Sequence, residues 1–465
     1  MKRICLLCSA LLALLLWAEA RDALEVSIEG DELTLHADQV RLQTILARIA
    51  DLGVKVRIDA EINPVVSAAF DDRDIQKGLA SILKSTNHAL LWETVEGPLG
   101  SMPRLAEIQV FSPGKKERMR PLVERSHLLI AKDPRNGTLY VANEILLRLK
   151  PGMTLQEFTA LLKVWGATVV DSYPPLGLYR LRVPENTDVP ALVEQVSGHP
   201  GTARAEPNFA YPIAMPYRAP GESQPVSDHG KPSREGSVPI AILDSGLAPD
   251  ADLEDHVLAS LDAIQTDEPI SDPVGHGTQM AMIAAGVVKP HGVSDDGAFN
   301  NPIIPIKAFD ENGYTSNLTI MRSIDFALAN GARVMSLSWG AKTDSGFLGE
   351  AFEYARSKGM VILGSAGNEP TGKPVYPAAY SSVIGVGALS PEGKQWEKSN
   401  YGDFVTLAAP GFATLPVGYK GDPGTYAGTS ISTAYAANVF ANYLSQHPEA
   451  SIEEMLGFFR HVEQK

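Results

Sequence analysis

Val238-Pro-Ile-Ala-Ile-Leu-Asp-Ser-Gly246 is the stretch on which the fold turns. Val238 to Leu243 is a continuous apolar run, and it ends at Asp244-Ser245-Gly246. A strand apolar on both faces belongs in a parallel sheet with helices packed on it. In such sheets functional groups gather just beyond the carboxyl ends of the strands, where Asp244 falls. The expectation for residues 237–465 is an α/β domain with Asp244 at its working edge.

Two later blocks have the same abrupt character. Gly275-His276-Gly277-Thr278-Gln279-Met280-Ala281 opens an apolar helix that closes at Gly286. Gly428-Thr429-Ser430-Ile431-Ser432 opens a helix rich in small residues, Ala434, Ala436 and Ala437. Each block alone is weak. Gly-Thr-Ser before a helix is usually a cap, an Asp after a strand is often a turn residue, and a lone His after Gly is more often structural. Together they supply three chemical roles: Ser430 to attack, His276 to take and return the proton, and Asp244 to hold the imidazole tautomer and its charge. A fourth block, Gly364-Ser365-Ala366-Gly367-Asn368-Glu369, follows the apolar strand Met360 to Leu363. It offers the Asn368 amide to a developing oxyanion, with the Ser430 N–H at its helix start as second donor.

With "AILDSG", "GHGT", "MSLSWG", "GSAGNE", "YPAAYSSVIGVGA", "VTLAAPG" and "AGTS" in order between Val238 and Val439, the segment resembles the subtilisin (subtilase) family of serine proteases. That resemblance implies a doubly wound parallel sheet, endopeptidase activity through an acyl-enzyme, and polypeptide substrates. The order Asp-His-Ser is the family's known order. By position, Asp244, His276 and Ser430 match the triad, and Asn368 matches the oxyanion amide. Ser338, Trp339 and Gly340 match the edge that pairs with the substrate backbone. Trp339 then reads as an apolar wall between side-chain pockets, with a plain core tryptophan as the other reading. Gln279, Ile431, Ala434 and Tyr435 depart from the family's usual His, Met, Pro and His, none of which makes or breaks bonds. No cofactor is expected for the chemistry. Structural calcium, common in relatives, has no assignable site, and Asp295, Asp296 and Asp310 read as solvated loop charge.

Upstream, 140–211 reads strand (Val141 to Leu149), helix (Thr154 to Trp165), two strands (Ala167 to Asp171, Gly177 to Val183), helix (Asp188 to Ser197) and an extended end (Thr202 to Tyr211). Thr154 and Glu157 form a capping-box signature. The order βαββαβ fits a ferredoxin-like sandwich. The segment also resembles subtilase propeptides through "NEILLRLKPG" and "TARAEPNFAYP", which implies an internal folding aid and inhibitor, hence a zymogen. Seven prolines between Pro207 and Pro239 mark 212–236 as an exposed linker unable to join a ladder, with self-cleavage expected between Tyr211 and Ser237.

Earlier still, 24–114 is a compact α+β pattern. A short strand carries Leu33, Leu35 and Ala37, a helix runs from Gln39 to Leu52 with Gly53 at its end, Val54–Ile58 alternates, and Ile75 to Leu83 is a second helix. Ala89 to Val95 and Leu105 to Phe111 close as a strand pair. "LTLHADQVRLQTILARIA", "VKVRIDAEI" and "DIQKGLASILKSTNHALLWE" resemble the small N-terminal domain of secretins and TonB-dependent receptors. The resemblance implies docking to another envelope protein; a spacer with no partner is the other reading. Residues 115–139 read as a polar connector.

Residues 1–20 are expected to be a signal peptide: Lys2 and Arg3, an apolar run from Ile4 to Trp17, then Ala18-Glu19-Ala20. That run is too short to span a bilayer, and no later stretch is long and apolar enough, so the mature protein is expected to be exported, periplasmic or extracellular. Both cysteines, Cys5 and Cys8, lie in this segment, which removes disulfides, thiol catalysis and cysteine-zinc sites from the mature chain. The net charge of -15 over 465 residues argues against a phosphate-backbone binder, so no nucleic-acid partner is expected. The leading reading is an exported serine endopeptidase. A non-catalytic envelope binding protein on the same fold, and a protein that cleaves only itself, are the alternatives.

Overall fold

The computed structural model describes residues 24–123, 127–213, 217–219, 236–294, 299–417 and 422–462. The expected signal peptide, Cys5, Cys8, Asp295, Asp296 and most of the proline-rich linker lie outside the described residues. The described chain falls into two compact units. One holds 24–123 with Asn143–Ala205; the other holds 127–142 and everything from Glu206 onward.

In the first unit, strands Leu24–Glu29, Glu32–Arg41 and Val65–Asp74 form an antiparallel sheet. Strands Asn87–Gly97, Gly100–Phe111, Lys55–Asp59 and Met119–Pro121 form a second. Helices Leu42–Asp51 and Ile75–Ile82 bury Leu42, Ile45, Leu46, Ile49, Ile75 and Leu79 against Leu33, Leu35, Val56, Ile58 and Ile108. The first helix starts at Leu42 rather than Gln39. Gln39 takes a positive φ of 54° at an irregularity in the strand pairing, so the strand runs on to Arg41. The connector is not all loop: Met119–Pro121 pairs antiparallel with Lys55–Asp59.

From Asn143 the chain continues through helix Leu155–Trp165, strands Thr168–Tyr173 and Leu178–Arg182, and helix Val189–Ser197. Thr154 and Glu157 make the reciprocal capping box, and Gly166 closes that helix in the left-handed region. The strand Leu178–Arg182 lies between Thr168–Tyr173 and the strand that starts at Leu139, antiparallel to both.

The second unit is organised by a seven-stranded sheet. Its order is Leu261–Asp262, Ile303–Lys307, Ile240–Asp244, Val334–Leu337, Val361–Ser365, Ile384–Leu389, Val405–Pro410, with every pairing parallel. The strand Ile240–Asp244 is buried along its whole length, as its uninterrupted apolar run requires. Ile240, Ile242, Val334, Leu363 and Val386 pack with helices His276–Ala284 and Thr429–Gln446 through Met280, Ile283, Ile431 and Phe440. Strand alternation turns Ala241, Leu243, Met335 and Leu337 to the other face. Helices Asn317–Ala329 and Gly346–Ser357 pack on each other, one on Ile240–Asp244 and the other on Val361–Ser365.

Strand Ile240–Asp244 comes first in sequence yet sits third in the sheet. The chain therefore fills the sheet on one side of it and then on the other, and a ligand crevice belongs at the carboxyl ends around this reversal. The proline-rich stretch departs from its reading at two places near its start. Pro207 and Pro212 lie within the strand Thr202–Pro212, whose Ala210–Pro212 end pairs antiparallel with Tyr314–Ser316. Tyr217–Arg218 pairs antiparallel with Tyr426–Ala427. A proline lacks only its own N–H, so the residues between prolines keep donors enough for edge pairing.

Candidate active site

Asp244 ends the strand Ile240–Asp244 and is 1% exposed, while His276 opens the helix His276–Ala284 and is fully buried. Asp244 Oδ1 and His276 Nδ1 are 2.7 Å apart. Burial works against the charged ring, but the Asp244 charge and hydrogen bond, with Asp272 behind them, outweigh it and hold the His276 pKa above its usual 6.5. Nε2, the other ring nitrogen, is buried without a hydrogen-bond partner.

This closeness depends on Gly277. A Cβ there would run into the backbone nitrogen and oxygen of Gly246, so only glycine lets the helix start lie against the Asp244-Ser245-Gly246 loop. Three side chains lock the approach. Ser245 Oγ accepts from Gly277 N at 2.8 Å, and Thr278 Oγ1 accepts from Ala248 N at 2.9 Å. Asp272 accepts from the N–H groups of Val274, Gly275 and Thr278 and from the Thr278 hydroxyl. The reading from sequence missed Ser245, Asp272 and Thr278. An acidic residue four positions before the helix start, paired with a threonine in its first turn, was the available signal.

Ser430 lies in the first turn of helix Thr429–Gln446, fully buried, where its N–H has no intrahelical acceptor. Its hydroxyl donates to Ser338 O at 3.1 Å, and Ser338 Oγ donates back to Ser430 O at 3.3 Å. Thus the serine hydroxyl points at Ser338 rather than at His276 Nε2 in this state. The two nonetheless share one neighbourhood. Ile242 pairs with Ser336, so Asp244 and Ser338 both stand two residues further on, at the same edge of adjacent strands. Asn438 Nδ2 donates to Ala284 O at 2.9 Å, and these residues lie eight positions beyond Ser430 and His276. Equal helical rise over eight residues brings the two helix starts level.

Asn368 follows the strand Val361–Ser365. Its Oδ1 accepts from both the N–H and the hydroxyl of Thr429, at 3.0 Å each. With the oxygen held, Nδ2 is the free end, and it has no hydrogen-bond partner among the described residues. Thr429 is a fourth residue the sequence did not single out.

Ser338–Gly340 extends past the strand Val334–Leu337 without a ladder partner among the described residues. Trp339 is fully buried, with ring centroids 5.3 Å from Tyr211 and 5.9 Å from Phe309. It is therefore packed as a core tryptophan is, with Tyr211 laid against it. Tyr211 donates its hydroxyl to Asn317 Oδ1 at 2.6 Å, and burial pushes its pKa well up. Nearby, Glu206 accepts from Ser345 Oγ at 2.6 Å and from Gly346 N at 3.1 Å, at the start of helix Gly346–Ser357. A carboxylate there meets the positive end of the helix dipole.

Asp310 is not solvated loop charge. It is fully buried, and its carboxylate accepts from the N–H groups of Leu128, Asn312 and Tyr314. Among the described residues no group of three or more His, Cys, Asp or Glu side chains is set to hold a metal ion. Among them also, no helix is long and apolar enough to cross a membrane.

Comparison with known proteins bears on two segments. The Subtilase family (peptidase S8) matches residues 236–462, and the Fervidolysin N-terminal prodomain matches residues 129–208. The thermophilic serine proteinase of Bacillus sp. (strain AK1) is 30% identical over 66% of this chain and 79% of its own length. The minor extracellular protease Epr of Bacillus subtilis (strain 168) is 34% identical over 46% of this chain, which spans only 33% of Epr. Among solved structures, fervidolysin from Fervidobacterium pennivorans superposes with a TM-score of 0.53 at 24% identity, over 70% of this chain and 58% of that one, a likeness of fold.

Proposed function

The chain belongs to the subtilase family, and from that premise we propose that it is an exported serine endopeptidase made as a zymogen. Ser430 is the nucleophile, His276 the general base and acid, and Asp244 the group that fixes the imidazole. The observation that carries the reading is the buried 2.7 Å Asp244–His276 pair whose Nε2 is left unpartnered beside the start of the Ser430 helix.

Rotation of the Ser430 hydroxyl away from Ser338 O toward Nε2 sets up the first step. Apo sites often show such bonds unformed until a substrate binds. Oγ attacks the scissile carbonyl as its proton passes to Nε2. The resulting oxyanion is received by Asn368 Nδ2 and the Ser430 N–H. The tetrahedral species collapses, the C–N bond breaks, and the leaving amine takes the proton from Nε2, leaving an acyl-enzyme. Water repeats the sequence and restores Ser430. Ser338–Gly340 offers its backbone as an edge for an extended peptide. All of these groups are side chains and amides of the chain itself, and the chemistry uses no cofactor.

The stretch 140–211 is read as a ferredoxin-like prodomain that acts as an internal inhibitor. In support, its tail lays Ala210–Pro212 along Tyr314–Ser316 and Tyr211 over Trp339. Residues 24–114 are read as a docking domain for another envelope protein; its exposed Leu91 and Trp92 on one strand suit such a role. Export is read from the signal sequence at 1–20.

Purified wild type and Ser430→Ala, compared on a denaturing gel with N-terminal sequencing, test the reading. Wild type is expected to shorten to a fragment beginning between Tyr211 and Ser237, while the variant stays full length. Identical uncut bands in both would overturn self-processing.

A further inference from the structure

Tyr217 stands opposite Ala427 and Arg218 opposite Tyr426 in an antiparallel pair, and Ala219 N donates to Thr425 O at 2.9 Å. The short segment adds a third strand to the ribbon formed by Phe412–Leu415 and Gly424–Ala427. Polarity gives this track a meaning. The strand Gly424–Ala427 runs toward Ser430, which follows Ala427 by three residues. Its antiparallel partner therefore runs away from Ser430. A peptide whose carbonyl sits at Ser430 would lay the residues after its scissile bond along this track.

The Tyr217 side chain, 42% exposed, is held on two sides. Its ring meets Trp396 edge-on, with centroids 5.8 Å apart and planes at 73°. Lys398 Nζ lies 3.9 Å from its centroid, over the ring face. Trp396 is buried and backed by Phe412 at 5.8 Å and 80°. An aromatic edge and a cation set on one ring favour a quadrupole with a negative face, which an aliphatic side chain lacks and a carboxylate cannot present to Trp396.

We propose that Trp396, Lys398 and the strand Gly424–Ala427 form a subsite for the leaving-group side of a peptide substrate. The subsite selects an aromatic residue close behind the scissile bond, and the chain's own Tyr217 is its first occupant. This rests on the protease reading above and names the substrate feature that site prefers.

The test uses the full-length protein after self-processing and internally quenched peptides of one common acyl half. Tyr, Phe, Ala or Glu is placed in turn at each of the first three positions after the scissile bond. At one position the aromatic peptides are expected to exceed Ala and Glu in kcat/KM by about three- to tenfold, the size of one cation–π contact with its ring packing. Lys398→Met is expected to bring the Tyr/Ala ratio below about twofold, and Lys398→Arg to keep it, since only the arginine retains a cation over the ring. A ratio within one variant cancels any loss of folded enzyme. Equal rates for Tyr, Ala and Glu at all three positions, or a ratio untouched by Lys398→Met, would overturn the subsite while leaving the protease standing. Failure of the wild type to cut any peptide would remove the protease reading and the subsite with it.

Discussion

Gly277→Ala is the perturbation that most sharply separates the close-approach account from helix propensity alone. Alanine in place of a helical glycine should stabilise by about 0.5–1 kcal/mol if the helix were the only consideration. Here the new methyl would fall well inside contact distance of the Gly246 backbone, which has no flexible end to yield. The helix start must then back away from the loop by on the order of 1 Å, and such overpacking costs about 1–3 kcal/mol. For a unit of this size that amounts to a Tm lower by about 2–12 °C. The same displacement stretches the 2.7 Å Asp244–His276 bond beyond hydrogen-bonding reach. A shift of that size costs roughly 10²-fold in kcat/KM. Gly457→Ala is the control: it lies in helix Ile452–Val462 with nothing near the added methyl, and a neutral or slightly raised Tm is expected. Thermal melts and kcat/KM on one peptide measure both variants. If Gly277→Ala matched wild type in Tm and in kcat/KM, the interlock of helix and loop would not be what holds the pair.

Two further substitutions probe the remaining parts. Asn368→Ala should lower kcat by about 10²–10³-fold, the loss associated with removing one such donor in subtilisin itself, and should also lower Tm by a few degrees, because the Thr429 N–H and hydroxyl lose their acceptor; full activity would take Asn368 out of the mechanism. Asp272→Asn should move the acid limb of the kcat/KM profile to lower pH. His276 must be neutral to act as base, its pKa stands above 6.5 partly through Asp272, and removing that charge makes the proton easier to lose. A limb that stays in place, or moves upward, would show that Asp272 does not act on the ring.

What the sequence revealed, and what it hid, divides by the range of the interactions. Val238–Leu243 announced a buried parallel strand because a continuous apolar run has few other uses. Thr154 and Glu157 announced a helix start because a capping box is local. By contrast, the strand Val65–Asp74 went unread: its exposed residues carry Asp71, Asp72 and Arg73, and its place depends on pairing with Glu32–Arg41. Tyr217–Arg218 looked like linker because its partner lies some 200 residues on. Asp310 looked like a solvated acid because nothing nearby in sequence says that Leu128 will bring it an amide. The same limit applied within the site. Asp244, His276, Ser430 and Asn368 were named by residue type and motif, while Ser245, Asp272, Thr278 and Thr429, which hold them in place, became visible only as hydrogen-bond partners.

The central claim is that Ser430 is a nucleophile activated by His276. Labelling the processed protein with a fluorophosphonate, followed by mass mapping of the adduct, addresses it directly. The account predicts one phosphonylated residue, Ser430, with labelling that strengthens as the pH rises through the titration of His276 and that is lost in His276→Ala. No adduct, or an adduct on a different serine, in wild-type protein with a normal thermal melt would contradict it.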